Sequence, residues 1–126
     1  MSDYLSDAWF ERYATAGAEL PTVEGADATI TYEVGGGPDG KVRWNEVIES
    51  GRIVAVEQAK KADADIAITW KYDEAVRLLQ GETTFDASFM EGRTKVEGDY
   101  VRWILDLRSM RDTPEFVAFL AEVAPG

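Results

Sequence analysis

The sequence predicts a single α+β domain in which helices cover one antiparallel-rich sheet. Two periodicities support this. Apolar and polar residues alternate between Ala28 and Trp70, which indicates half-buried strands, whereas apolar residues recur every three or four positions near the amino terminus and after Lys71, which indicates amphipathic helices. No repeat, low-complexity stretch or linker divides the 126 residues, so we expect residues 1–126 to form one domain.

A helix is predicted near the amino terminus, because Ser2 or Ser6 can cap its first turn and Pro21 can close it. The segment between them carries apolar residues at helical spacing. These residues are Leu5, Trp9, Tyr13, Ala16 and Leu20. Such a stripe predicts that the helix packs against the sheet.

Four strands are predicted after this helix. Residues 28–34 alternate apolar and polar side chains, and the glycine-rich stretch 35–40 predicts a hairpin into a second strand over 42–48. The glycine-rich stretch leads into a strand and lacks a following Lys-Ser or Lys-Thr pair, which argues against a phosphate-binding loop. After a further turn, a third strand covers residues 52–57 and a fourth covers residues 64–70.

Helical patterns replace the strand pattern in the second half of the chain. One helix begins near Asp73 and ends at Gly81, which can adopt the left-handed conformation of a helix end. A short helical segment follows, in which Phe85 and Phe89 lie four positions apart and therefore project together. Residues 93–97 are predicted to form a fifth, short strand.

Two further helices are predicted at the carboxy-terminal end. Asp99 can cap the first of them. Its apolar stripe comprises Tyr100, Trp103, Ile104, Leu107 and Met110. Thr113 and Pro114 mark the start of the second helix, as a cap and a first helical residue. The apolar positions of that helix are Phe116, Phe119, Leu120 and Val123.

The composition excludes several classes of protein. The chain contains no cysteine and no histidine, which removes disulfides, thiolate catalysis, the commonest zinc ligands and the side chain most used in acid-base catalysis. We therefore expect no catalytic residue, no metal site and no cofactor. The hydrophobic fraction of 45% nevertheless predicts a substantial core.

The charge and the amino terminus limit the partners. The net charge of −11, without a dense basic stripe, argues against a nucleic-acid partner and against strong attraction to anionic membranes. The first ten residues lack the basic start of a secretory signal, and no apolar run approaches the roughly 20 residues of a membrane span. We expect a cytoplasmic protein without stable membrane insertion.

Three polar features leave alternatives open. Glu46 falls on the apolar face of the second strand, where it is either a buried carboxyl with a raised pKa or, as we favour, exposed by a register slip or bulge. A basic region of Lys60, Lys61, Arg43 and Arg52 either attracts the anionic group of a ligand, a coenzyme A phosphate or a fatty-acid carboxylate, or, as we favour, belongs to a solvated sheet edge. Asp63 and Asp65 supply too few oxygen ligands for calcium and are expected at the surface.

Residues 85–99, FDASFMEGRTKVEGD, combine an aromatic-Met-x-Gly turn, a basic strand and a Gly-Asp helix start, and they follow a helix that ends in glycine. In this spacing the chain resembles the sterol-carrier-protein-2-like family of lipid-binding domains. The resemblance implies a five-stranded mixed, mainly antiparallel sheet, backed by helices around an apolar cavity. It also implies binding of a sterol, a fatty acid or a fatty acyl-coenzyme A, without catalysis.

Two features depart from the family's pattern. Residues 84–86, Thr-Phe-Asp, stand where the family usually has Asn-Pro before the aromatic turn, and this affects the mouth of the cavity. Residues 124–126, Ala-Pro-Gly, are not a peroxisomal signal, which fits a bacterial-type stand-alone copy.

The resemblance implies that apolar side chains of the later helices line the cavity. The candidate ligand-binding residues are Leu79, Phe85, Phe89, Met90, Trp103, Leu107, Met110, Phe116, Phe119 and Leu120. The competing interpretation is that they are ordinary core residues. Three consecutive helical segments offer aromatic and methionine-rich faces, more than one small sheet face is expected to cover, which favours the cavity.

The leading hypothesis is a non-enzymatic intracellular carrier of a hydrophobic small molecule, present as a monomer or a weak homodimer. One alternative is a small cone-fold enzyme for steroids or polyketides, in which a carboxylate would act with Tyr13, Tyr32 or Tyr72. Another is an interaction module whose exposed helical face binds a partner chain or a second copy.

Overall fold

The structure is a computed structural model that describes residues 4–38, 40–58 and 64–125. Five strands, five α-helices and one π-helical turn follow one another in this part of the chain. They are α1 (Asp7–Ala18), β1 (Ala28–Gly37), β2 (Gly40–Glu49), β3 (Arg52–Gln58), β4 (Ile66–Lys71), α2 (Tyr72–Leu79), α3 (Phe85–Met90), β5 (Lys95–Gly98), the π-helical turn (Arg102–Asp106), α4 (Arg108–Arg111) and α5 (Pro114–Glu122). The predicted α+β class is confirmed.

The five strands form one mixed sheet in the order β3-β2-β1-β4-β5. Strands β1 and β4 are parallel, and the other three neighbouring pairs are antiparallel. Side chains also hold the parallel pair in register at its start, because the Thr29 hydroxyl accepts a hydrogen bond from the Asp65 backbone N–H at 2.9 Å. The mixed, mainly antiparallel sheet implied by the resemblance is therefore confirmed.

The inner face of the sheet carries a row of aromatic rings. Tyr32 on β1 stacks between Trp44 and Trp70, with ring centroids 5.1 Å and 5.3 Å away and interplanar angles of 24° and 17°. Trp44 lies directly opposite Tyr32 in the β1–β2 register. This row follows from the alternation of the strands, which sends every second side chain to the same face. It forms the floor on which the helices pack.

Helix α1 packs on this floor, close to β3. Ser6 caps it, since its hydroxyl accepts a hydrogen bond from the Trp9 backbone N–H at 3.2 Å, while Ser2 lies outside the described residues. The helix ends at Ala18, three residues before Pro21. Near the start of α1, the Trp9 indole N–H donates to the Val123 carbonyl at 2.7 Å. This bond joins α1 to the end of α5.

The predicted single helix after Asp99 is wrong. The Asp99 side chain does accept from the Arg102 backbone N–H, at 3.1 Å, but a π-helical turn then interrupts the helix before α4. In this turn the Leu107 N–H bonds to the Arg102 carbonyl five positions back, at 3.0 Å. Tyr100 is 54% exposed and leaves the predicted stripe. The α5 cap is as predicted, with the Thr113 hydroxyl accepting from the Phe116 N–H at 3.1 Å.

A buried polar network joins α2, α3 and β4. The Ser88 hydroxyl donates to Glu74 at 2.6 Å and contacts the Thr94 hydroxyl at 2.6 Å. Thr94 in turn accepts from the Trp70 indole N–H at 2.8 Å. Helix α2 therefore buries the acidic Glu74 with Ala75 and Leu78, whereas the apolar Val76 and Leu79 are only half-buried.

Candidate ligand-binding site

An apolar cavity lies between the aromatic floor and the helices. Its volume is about 50 Å³. The floor contributes residues from all of the first four strands, and α1, α2 and the segment from Trp103 to Leu120 form the opposite wall. A void of this size is far smaller than an engineered apolar cavity of about 150 Å³ that holds benzene. The interior is therefore closely packed around a small void.

A larger open groove lies beside this cavity, with a volume of about 430 Å³. It runs between the α2–α3 connection and the segment formed by the end of α4 and α5. Six residues line both spaces and separate one from the other. They are Leu78, Leu79, Phe85, Arg111, Phe116 and Leu120. These six side chains therefore form a wall that the groove and the cavity share.

Eight of the ten candidate residues lie around the cavity. They are Leu79, Phe85, Trp103, Leu107, Met110, Phe116, Phe119 and Leu120. Phe89 and Met90 lie outside the lining of both the cavity and the groove. Met90 is 85% exposed.

The displacement of Phe89 and Met90 has a geometric cause. Helix α3 turns Ser88 inward, where its hydroxyl bonds to the buried Glu74. Successive helical residues are rotated by about 100°, so Phe89 lies at the side of the helix and Met90 on its outer face. The prediction treated Phe85 and Phe89 as the inner face, whereas the polar Ser88 occupies it.

Glu46 is buried inside the same cavity and is only 2% exposed. The favoured expectation that a bulge exposes it is wrong, because the irregularity in the β2–β3 pairing falls between Val47 and Ile48, one residue further on. The Tyr13 hydroxyl donates to one carboxyl oxygen and the Tyr32 hydroxyl donates to the other at 3.0 Å. These two bonds are the reason that an acidic side chain is tolerated on an apolar face.

Burial dominates the titration of this cluster. It raises the pKa of Glu46 to about 7, although the hydrogen bonds from Tyr13 and Tyr32 act in the opposite direction. The pKa of both tyrosines is raised well above the usual range, mainly by burial and secondly by the negative charge of the neighbouring Glu46. Near neutral pH the two phenols of the cluster are therefore neutral, and the carboxyl group of Glu46 is partly protonated.

Arg111 stands between the cavity and the groove. Its Nη1 donates to the Trp103 carbonyl at 2.8 Å, and its guanidinium carbon lies 4.3 Å from the Trp103 ring centroid. Its Nη2 lies 3.7 Å from Asp86 Oδ1, and its side chain is 7% exposed. Burial lowers the pKa of Arg111, and the Asp86 carboxylate opposes this effect. Sequence reasoning missed this residue, because a basic side chain near a helix end is an ordinary surface pattern.

Of the remaining polar candidates, Arg43, Arg52 and Asp65 line neither the cavity nor the groove. Asp65 pairs with Arg102 at 2.7 Å just before β4, and Asp63, Lys60 and Lys61 fall outside the described residues. Within 4–38, 40–58 and 64–125, no group of three or more potential metal-ligating side chains occurs. In the same ranges, no helix has the length and apolarity required to cross a membrane.

The fold and the site define a small α+β domain whose mixed sheet and helices enclose an aromatic interior beside a side groove. The chain belongs to the SCP-2 sterol transfer family, whose model matches residues 8–101. The resemblance found in residues 85–99 is thereby confirmed. Sequence comparison with curated proteins gives no match.

Solved structures share the fold at low sequence identity. A solution structure from Thermus thermophilus, described as possibly a sterol carrier protein, has a TM-score of 0.76 and 16% identity, covering 100% of this chain and 93% of that one. A crystal structure of sterol carrier protein 2 has a TM-score of 0.70 and 14% identity, covering 95% and 96%. A solution structure of palmitated SCP2L2 from Aedes aegypti has a TM-score of 0.62 and 17% identity, covering 87% and 95%.

Proposed function

We propose that this chain binds a hydrophobic small molecule of the sterol, fatty acid or fatty acyl-coenzyme A class and transfers it without catalysis. The observation that carries the proposal is the open groove of about 430 Å³ beside the apolar cavity. A groove of this volume lies within the range of about 300 to 1,000 Å³ that small-molecule sites occupy. The family to which the chain belongs, and the palmitated relative from Aedes aegypti, support the same class of ligand.

Entry of the ligand requires side-chain movement, because the cavity of about 50 Å³ does not accommodate an acyl chain. The acyl chain of the ligand enters from the groove when the side chains of Phe85, Phe116 and Leu120 rotate away from the wall that the groove and the cavity share. Each buried CH₂ contributes about 0.8 kcal/mol, so a long acyl chain gains on the order of 10 kcal/mol before the costs of association and side-chain ordering. A dissociation constant in the micromolar range follows from this balance.

The ligand-binding residues proposed for this site are those that the cavity and the sequence pattern have in common. They are Leu79, Phe85, Trp103, Leu107, Met110, Phe116, Phe119 and Leu120. Leu79, Phe85, Phe116 and Leu120 also line the groove and meet the ligand first. The protein carries its ligand as a monomer or a weak homodimer in the cytoplasm.

Binding is tested on protein that has been unfolded, freed of lipid and refolded. We expect saturable micromolar binding of a fluorescent fatty acid, and a lipid in organic extracts of the protein as purified. Leu120→Trp fills the shared wall and is expected to weaken binding about tenfold. Leu105→Trp is the matched control, because Leu105 is 59% exposed and lines neither space. Absence of saturable binding to a fatty acid, an acyl-coenzyme A and a sterol overturns the proposal.

A second candidate function is motivated by Glu46. Its carboxyl group lines the cavity, has a pKa of about 7 and contacts two phenols, a set of groups that can move a proton on an enolisable steroid ketone. The pairing of these groups with one another argues against an enzyme, since the Tyr13 and Tyr32 hydroxyls both donate to Glu46 itself. Turnover of a β,γ-unsaturated steroid ketone that disappears in Glu46→Gln would establish the enzyme, and its absence leaves the carrier.

A further inference from the structure

Two buried side-chain nitrogen atoms among the described residues have no hydrogen-bond partner. They are Trp44 Nε1 and Arg111 Nη2. Both residues line the apolar cavity. Buried polar groups in native proteins are paired in the large majority of cases, and leaving one unpaired is costly. Both atoms are donors, so a ligand group that pairs with either of them must supply a hydrogen-bond acceptor.

We infer that Arg111 anchors the acidic head group of the ligand and that the preferred ligand is a carboxylic acid with a long alkyl chain. The inference rests on the proposed function and narrows its ligand class. It assigns a specificity-determining residue to a site that is otherwise lined mainly by apolar side chains, which do not distinguish among lipids of similar shape.

The guanidinium of Arg111 is held in place by its surroundings. Nη1 donates to the Trp103 carbonyl at 2.8 Å, and the Trp103 ring lies against the guanidinium plane at 4.3 Å. The Phe85 ring approaches it as well, at 5.5 Å. These contacts fix the orientation of the group and leave Nη2 as the free donor. A preorganised guanidinium loses little freedom when it binds a carboxylate.

The charge of Arg111 is poorly compensated within the protein. Asp86 Oδ1 lies 3.7 Å from Nη2, beyond hydrogen-bond distance, and Asp86 Oδ2 already pairs with Arg108 at 2.9 Å. The Asp86 side chain is 49% exposed, so solvent weakens its attraction, whereas that of Arg111 is only 7% exposed. A buried cation with a distant partner favours an anionic ligand more than a neutral one.

The acidic surroundings do not cancel this preference. Two carboxylates, Asp86 and Asp112, face the two guanidinium groups of Arg111 and Arg108, so this part of the groove carries no excess of negative charge that would repel an anionic ligand. The net charge of −11 is spread over the chain, and its effect on the site is screened beyond about 8 Å at physiological ionic strength. The attraction at contact distance therefore comes from the guanidinium.

The position of Arg111 also fits a head group. The residue lines the groove and the cavity alike, so a carboxylate bound there lies at the junction while its alkyl chain follows the apolar side chains. A sterol hydroxyl or an alcohol can also accept from Nη2, but a charge-assisted hydrogen bond is roughly twice as strong as a neutral one. The head group therefore decides between ligands of equal chain length.

The test compares hexadecanoate, hexadecan-1-ol and hexadecylamine on the lipid-free full chain, by displacement of a neutral pyrenyl alkane. We expect hexadecanoate to bind about tenfold more tightly than the alcohol in the wild type. Arg111→Gln is expected to remove this preference, because it weakens the binding of hexadecanoate much more than that of the alcohol. Arg108→Gln is the matched control, because Arg108 also pairs with Asp86 but lines neither space, and it keeps the preference.

The outcomes separate the two proposals. Equal binding of the acid and the alcohol by the wild type, tighter binding of the amine, or a preference that survives in Arg111→Gln overturns the inference and leaves the carrier function intact. Failure of all three ligands to displace the probe counts against the proposed function itself. If Arg111→Gln does not fold, the wild-type comparison still tests the ligand class, and Arg111→Lys, which keeps a charge but loses the second guanidinium nitrogen, tests the anchor: it should reduce the preference for the acid.

Discussion

The Tyr13 hydroxyl on α1 donates a hydrogen bond to the Glu46 carboxyl group on β2, so a buried acid joins the first helix to the sheet. Tyr32 donates to the other oxygen of the same carboxyl group, at 3.0 Å. Burial of the carboxylate costs more free energy than these two bonds return, which is why the pKa of Glu46 is raised to about 7. The cluster consequently links the stability of the fold to pH.

Replacement of Glu46 by Gln is expected to change the pH dependence of stability. The carboxyl group ionises near pH 4.5 in the unfolded chain and near pH 7 in the folded one. Between these values the folded chain holds a proton that the unfolded chain has lost, so the wild-type free energy of unfolding falls as the pH rises from about 4.5 to about 7. The decrease is about 3 kcal/mol and is complete above that range.

Urea denaturation across this range measures the effect. Glu46→Gln retains a polar group of the same shape and lacks the titration, so its stability relative to the wild type should rise with pH. Glu49→Gln, at the exposed end of the same strand, is the control and should follow the wild-type profile. A Gln variant that loses stability in parallel with the wild type contradicts the assignment of a raised pKa.

Removal of the Tyr13 hydroxyl is expected to cost more at high pH than at low pH. Tyr13→Phe deletes a donor to Glu46, and a hydrogen bond to a charged group contributes about 1.5–3 kcal/mol, against about 1 kcal/mol for a neutral pair. The loss should therefore be larger near pH 8, where Glu46 is ionised, than near pH 5. Tyr100→Phe, at a position that is 54% exposed, controls for the chemical change. An equal loss at both pH values would show that the bond does not depend on the charge of Glu46.

The sheet could be predicted from the sequence because alternation reports directly which side chains face the core. The pattern of Ile30, Tyr32 and Val34 is a strand pattern, and all three side chains are buried. The caps of α1 and α5 could also be predicted, since Ser6 and Thr113 act on backbone N–H groups three residues away. In both cases the cause lies within a short stretch of the chain.

The polar part of the site could not be predicted in this way. Glu46 points inward because Tyr13, 33 residues earlier in the chain, supplies a hydrogen bond there. Ser88 occupies the inner face of α3 because Glu74, 14 residues away, accepts from it, and this places Phe89 at the side of the helix. Such pairings depend on tertiary contacts, and a pattern that counts apolar residues assigns these positions to the wrong face.

Substitution of Gly17 by Ala is expected to destabilise the fold, against the usual preference of helices for Ala. A Cβ atom at this position would lie 2.7 Å from Ile53 Cβ, an atom fixed to the backbone of β3. The helix must therefore move away from the sheet, at a cost of about 1–3 kcal/mol. Gly35→Ala serves as the control, because nothing lies within 4 Å of its added Cβ. Thermal unfolding measures both, and an unchanged or higher midpoint for Gly17→Ala would contradict the close approach.

Truncation of Phe116 to Ala is expected to open the wall between the groove and the cavity. Phe116 lines both spaces and is 7% exposed, so its loss should lower the free energy of unfolding by about 3–5 kcal/mol. The same change removes an obstacle to the ligand and should speed the uptake of hexadecanoate in stopped-flow measurements. Ligand at about a hundred times its dissociation constant should then raise the free energy of unfolding of the variant by about 2.7 kcal/mol.

Val123→Ala is the control, since Val123 is buried but lines neither space. This variant should lose stability without faster uptake of hexadecanoate. If Phe116→Ala remains folded and takes up the acid no faster than the wild type, the ligand does not enter through this wall.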